Sequence, residues 1–172
     1  DGFEVEGIGH NLPFLSAVME HERFVSGKIT TAFIAEEYPE GFGGATLAAD
    51  AAQRVAAAAT AMYRVAEIRR TRVSGRMDNH ERRVGSDWVV RLLGQEYPIT
   101  IAADHEGSTL SFADGAVMRV TSDWTPGDQL ARLTVDGAPL VLKVGKIPGG
   151  FRIRTRGADL KVHVRTPRQA EL

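Results

Sequence analysis

No cysteine occurs in the chain, which excludes disulfides, thiolate nucleophiles and cysteine-ligated zinc together. Neither sign of charge is in excess. With 21 Lys and Arg against 22 Asp and Glu, a net charge of -1 provides no global field toward nucleic acid or an acidic membrane surface, so any basic site must be local. Long uninterrupted apolar runs are also missing. The nearest, Ala45 to Ile68, carries Asp50, Gln53, Arg54, Arg64 and Glu67 and cannot span a bilayer, and no basic-then-apolar signal opens the chain. Cytoplasm or mitochondrial matrix is the expected compartment. What is present is enough for a core: 43% of the 172 residues are hydrophobic. The first residue is Asp1 rather than Met, and a piece of a longer polypeptide is expected.

Three zones differ in texture. From Asp1 to Gly44 the sequence is mixed, with Phe14, Leu15, Val18 and Met19 at helical spacing behind Pro13, which suits a first helical turn. A second short segment, Ile29 to Tyr38, ends at Pro39 and the run Gly41-Phe42-Gly43-Gly44, where a domain boundary is expected. A phosphate-loop reading of these glycines fails for want of the Lys-Ser/Thr pair and a leading strand.

The second zone, 45–70, predicts a helix. It is dominated by Ala48, Ala49, Ala51, Ala52 and Ala56 to Ala59, and Asp50 and Arg54 are spaced for an i,i+4 pair. Its larger apolar residues, among them Leu47, Val55, Met62, Tyr63, Val65 and Ile68, point in nearly every direction around the axis. Such a helix must be wrapped on most sides.

From Asp87 the period changes to two, with turn signals about every ten residues. Eight strands are predicted: 87–93, 96–103, 108–112, 117–124, 129–135, 139–145, 151–155 and 160–165. Asp114-Gly115 and Asp136-Gly137 are strong hairpin signals. One face holds Trp88, Val90, Leu92, Tyr97, Ile99, Ile101, Leu110, Phe112, Met118, Val120, Trp124, Ala131, Leu133, Val135, Leu140, Leu142, Val144, Phe151, Ile153, Leu160, Val162 and Val164, while the other holds Arg91, Arg119, Arg132, Lys143, Arg152, Arg154, Lys161 and His163. That alternation belongs to an antiparallel sheet solvated on one side. A meander of eight strands closes readily into a barrel, and a helix apolar all round is a suitable filling. Size is the difficulty, because eight strands normally enclose little more than side chains, whereas a helix is about 10 to 12 Å across. The alanines thin the helix, and a partly open or splayed barrel would accommodate the rest. The expected class is therefore α+β, mainly antiparallel β: an eight-stranded up-and-down barrel around a long central helix, after a small mixed α/β segment. A curled sheet against one side of the helix, or a helix plugging one end, are the alternatives.

Chemistry is scarce. The five histidines, His10, His21, His80, His105 and His163, have no metal-ligand spacing, and no serine or threonine sits in a nucleophile-elbow context. No catalytic, cofactor-binding or metal-binding residue is assigned. The connection 71–86 is different, being long for a compact domain, rich in arginine, and furnished with two isolated apolar residues. RNA is disfavoured there because no aromatics are interleaved as stacking platforms. A solvated linker is the plain reading. A protein-docking loop explains more, with Val73 and Met77 as anchors and Thr71, Arg72, Arg76, Arg82 and Arg83 around them.

Several motifs carry a family resemblance over essentially the whole chain. Gly9-His10-Asn11-Leu12-Pro13-Phe14-Leu15, then His21-Glu22-Arg23-Phe24, Gly27 and Thr31-Ala32-Phe33-Ile34, resemble the C-terminal end of the biotin carboxylase domain of acyl-CoA carboxylases. The remainder is similar to the α subunits of these enzymes, those acting on propionyl-CoA in particular: Asp87-Trp88, Asp114-Gly115, Val120-Thr121-Ser122-Asp123-Trp124, Leu133-Thr134-Val135-Asp136-Gly137 and His163-Val164-Arg165-Thr166. The resemblance implies residues 1–44 as the end of the biotin carboxylase domain and 45–172 as a BT domain. In that domain an eight-stranded barrel (87–166) surrounds a helix (45–70), and a hook loop (71–86) contacts the carboxyltransferase β subunit. It also implies biotin, ATP and Mg²⁺ in the intact subunit and none of them in this stretch, with biotin carboxylase and biotin carrier domains on the same chain. Neither nucleic acid nor membrane is an expected partner. The competing class is a lipocalin-like barrel that binds a small apolar ligand, which would need an empty interior.

Overall fold

The computed structural model describes residues 11–39, 47–72 and 84–171. Three short helices come first, α1 (Leu12–Glu20), α2 (Glu22–Val25) and α3 (Phe33–Glu37). Pro13 opens α1, where a missing N–H costs nothing. The His21 Nδ1 accepts the Arg23 backbone N–H at 3.3 Å and so caps α2. Edge-to-face contacts of His21 with Phe33 (5.1 Å between centroids) and of Phe14 with Tyr38 (5.3 Å) tie the three together. Of the mixed α/β segment expected ahead of the barrel, residues 11–39 supply helix alone. The glycine run expected to mark a boundary lies outside the described residues.

The long helix α4 spans Ala49–Thr71. At 1.5 Å per residue its 23 residues extend about 35 Å. Every residue from Val55 to Met62 is buried, with Ala56 to Ala59 at 0% exposure. Burial of eight consecutive helical residues requires neighbours on all sides. The one polar group among them, the Thr60 hydroxyl, donates to the Ala56 carbonyl at 2.8 Å and so enters the core satisfied.

The wrapping is a sheet of eight antiparallel strands: β1 (Asp87–Leu92), β2 (Gln95–Ala103), β3 (Ser108–Phe112), β4 (Val117–Ser122), β5 (Leu130–Val135), β6 (Ala138–Ile147), β7 (Gly150–Thr155) and β8 (Ala158–Arg165). Each pairs with the next, and β1 pairs with β8, so the barrel is closed. The predicted inner face lines the core, with Val90, Leu110, Ala131, Val135, Leu142, Ile153 and Val162 at 0% exposure and Tyr97, Met118 and Leu140 partly buried against it.

A gap beside one strand is not needed to admit the helix. The barrel closes with short seams instead. Three residue pairs join β1 to β8 (Val89 to Arg165, Val90 to Val164, Arg91 to His163) and three join β4 to β5, against four to six at every other seam. Even at these two seams every strand keeps two partners, so no edge is left free. A last helical turn, α5 (Pro167–Ala170), follows β8, and its cap Thr166 donates a backbone N–H to Gln169 Oε1 at 3.1 Å.

Strand direction sorts the connections between two mouths. At one mouth lie the β1–β2, β3–β4, β5–β6 and β7–β8 turns and the entry of α4. Gln53 Nε2 donates to Asp114 Oδ2 at 2.6 Å there, and Arg54 Nη2 donates to the Val135 carbonyl at 2.9 Å. Arg54 therefore does not make the i,i+4 pair with Asp50 expected from spacing. It is half-buried at the rim, where satisfying a strand-end carbonyl stabilises more than a solvent-screened ion pair. At the other mouth lie the β2–β3, β4–β5 and β6–β7 connections, α5 and the exit of α4.

Candidate interaction surface at the helix-exit mouth

The connection singled out in the sequence leaves and returns at the helix-exit mouth. Thr71 is the last residue of α4, half-buried, with its hydroxyl donating to the Ile68 carbonyl at 2.7 Å. Arg72 caps the helix and is exposed, its backbone N–H donating to the Arg69 carbonyl at 3.2 Å. Val73, Arg76, Met77, Arg82 and Arg83 lie outside the described residues. The chain returns at Val84, which packs against the core, and the Ser86 carbonyl accepts the Ile101 N–H at 2.8 Å. Asp87 then accepts the Thr100 hydroxyl at 2.8 Å. Both stems of the connection are thus anchored to the barrel rim, one by helix and one by sheet.

The β2–β3 and β4–β5 connections at this mouth are pinned by hydrogen bonds. In the β2–β3 turn, Asp104 receives the Arg119 guanidinium through both oxygens at 2.7 Å, and its Oδ1 also accepts the Glu106 and Gly107 N–H groups at 2.8 and 3.0 Å. The guanidinium first, and the two N–H donors with it, hold the Asp104 carboxyl well below the usual carboxylate range. In the β4–β5 connection, Asp128 accepts the Thr125 N–H at 3.0 Å and its hydroxyl at 2.9 Å, which lower its pKa. The Trp124 indole N–H donates to the Asp128 carbonyl at 2.9 Å and closes the loop on itself.

Between the β4–β5 connection, the β6–β7 turn and the last turns of α4 lies a groove of about 550 Å³. Its floor is aromatic. Phe151 meets Trp124 edge to face at 5.7 Å and Tyr63 at 6.1 Å, and Tyr63 meets Trp88 at 5.5 Å. Arg69, Arg70 and Lys146 stand on its rim. Glu67, one of the buried polar residues of α4, is engaged by Arg70. The alternating pattern placed Trp124 and Phe151 on the inner face without showing that they meet at an opening. In the sequence this wall corresponds to the turn residues Pro126-Gly127-Asp128.

Among the described residues, no cluster of three or more His, Cys, Asp or Glu is arranged to hold a metal. The barrel interior is occupied by α4, whose alanines meet the strands directly, so the empty cavity required by a lipocalin-like carrier is filled.

Comparison with known proteins decides the family. The profile of the propionyl-coenzyme A carboxylase BT domain matches residues 55–172, which take in most of α4, the barrel and α5. The chain belongs to that family. Over all 172 residues this BT-domain chain is 80% identical to the propionyl-CoA carboxylase alpha chain of Ruegeria pomeroyi, covering 25% of that protein. It is 29% identical over 180 residues to the mitochondrial propionyl-CoA carboxylase alpha chain of Mus musculus and 28% identical over 177 residues to that of Homo sapiens, covering 24% of each. The chain thus spans about a quarter of the length of these relatives. Among the described residues of the BT domain and its N-terminal helices, no helix is long and apolar enough to cross a membrane.

Proposed function

We propose that this chain is the subunit-interaction segment of a propionyl-CoA carboxylase α subunit, docking a biotin carboxylase half onto a carboxyltransferase β subunit. Residues 1–44 end the biotin carboxylase domain and 45–172 form the BT domain. The intact subunit uses ATP, Mg²⁺ and biotin to carboxylate propionyl-CoA to methylmalonyl-CoA with its partner, in the cytoplasm of a bacterium or the mitochondrial matrix of a eukaryote. This stretch contributes geometry rather than chemistry.

The observation that supports the reading is the separation of the two mouths. The N-terminal helices contact the helix-entry side, where Glu20 pairs with Arg156 of the β7–β8 turn at 3.6 Å. Both stems of the connection 71–86 are fixed at the opposite mouth. A closed barrel threaded by a helix of about 35 Å is a stiff spacer between them. Thr71, Arg72, Val73, Arg76, Met77, Arg82 and Arg83 form the docking loop, apolar anchors flanked by guanidinium groups that can pair with carboxylates across an interface.

Met77→Asp in the full-length subunit is expected to weaken association with the β subunit by about 2 kcal/mol or more, since it places a charge on a desolvated anchor. Wild-type affinity of this variant by calorimetry would move docking elsewhere. Among the outer-face arginines, Arg119 and Arg152 are held in ion pairs with Asp104 and Asp159.

A further inference from the structure

Resting on the docking reading above, we infer that the groove at the helix-exit mouth is a second docking pocket, which receives an apolar side chain carried on an acidic segment of the carboxyltransferase subunit. Three features combine there. The floor formed by Tyr63, Trp124 and Phe151 is aromatic, and the opening is large enough for one or two side chains. The wall is preformed: the Trp124 indole and both donors of Thr125 are spent on Asp128, which lowers the cost of ordering this loop on binding.

The rim supplies the sign of the partner. The side chains of Arg69 and Lys146 are exposed on the rim, and beyond the Thr125 hydrogen bonds the charge of Arg69 adds to the lowering of the Asp128 pKa. The nearby carboxylate, Asp128, already accepts two hydrogen bonds from Thr125. Two exposed cations over an apolar floor match a segment with a carboxylate beside an aliphatic or aromatic residue. Position fixes which protein brings it. Arg69 lies one helical turn before Arg72, where the docking loop departs, so a partner held by that loop is brought against this rim.

The test uses the full-length α subunit and its β subunit, with affinity measured by calorimetry at low and high salt. Arg69→Glu with Lys146→Glu reverses the rim, and Ala66→Leu fills the groove from α4. Each is expected to weaken association about tenfold or more at low salt, and the reversal is expected also to flatten the salt dependence. Arg69 and Lys146 are exposed, so the reversed variant keeps the barrel intact even if Ala66→Leu unfolds, and its melting temperature verifies this. If the groove variants bind as wild type while Met77→Asp does not, the groove is overturned and the docking loop stands. Loss with the groove variants but not with Met77→Asp supports the groove and removes the loop. A rim effect without a filling effect overturns the side-chain pocket. Self-association of the α subunit alone, abolished by the same variants, would assign the groove to a second copy and overturn the inference.

Discussion

Gly150 shows how tightly the barrel is closed at the level of single atoms. It begins β7, and a Cβ added there would fall on the Val162 carbonyl oxygen and within 2.9 Å of the His163 Cα, backbone atoms that cannot step aside. Gly150→Ala should therefore destabilise the barrel by about 1 to 3 kcal/mol in denaturant melts. Gly145→Ala is the matched control, because its Cβ would meet Arg152 at an ordinary 3.8 Å, and its midpoint should stay near wild type. Acid sensitivity is also set by individual groups. Asp104, Asp128, Asp159 and Glu37 all have lowered pKa values, from Arg119, Thr125, Arg152 and Arg23 respectively. A carboxylate with a depressed folded pKa stabilises above its unfolded value, about 4, and that stabilisation is lost as pH falls below it toward the folded pKa. The melting temperature should accordingly fall as pH drops below about 4. In Asp104→Asn the acid limb should be shallower, because the Arg119 pair is already gone. An identical limb in the variant would remove Asp104 from the account.

At the scale of elements, the alanine run of α4 is the fit between helix and barrel. Ala58 is fully buried, and Ala58→Leu should overpack the layer at a cost of about 1 to 3 kcal/mol, read from the denaturant midpoint. A neutral result would mean that the helix is open to solvent there. The wrapped helix was legible in the sequence because no amphipathic stripe could be drawn on it. The eight strands were legible because alternation and turn residues agreed, each boundary falling within two residues of the observed one. Closure was harder to read. Whether β1 meets β8, which it does through three residue pairs, depends on strand tilt and stagger, which pairwise patterning does not encode. The groove was less legible still, since Trp124 and Phe151 are far apart in the chain and meet only once the barrel has formed. Arg54 was misread for a related reason: i,i+4 spacing is local, and the Val135 carbonyl that takes the guanidinium lies 81 residues away.

At the scale of the whole molecule, the proposed docking function is separate from what holds the fold together. The barrel buries its apolar face on α4 and completes its hydrogen bonding around the ring, so its thermal unfolding is expected to depend little on residues 73–83. Under the docking proposed above, association with the carboxyltransferase subunit falls to that connection and to the mouth from which it departs. The most direct test replaces residues 73–83 of the full-length subunit with a short glycine-serine linker and measures its affinity for the β subunit beside its thermal unfolding. The account predicts a melting temperature near that of the wild type together with a loss of binding by at least about a hundredfold. Wild-type affinity in the shortened subunit, with the barrel still folded, would contradict it.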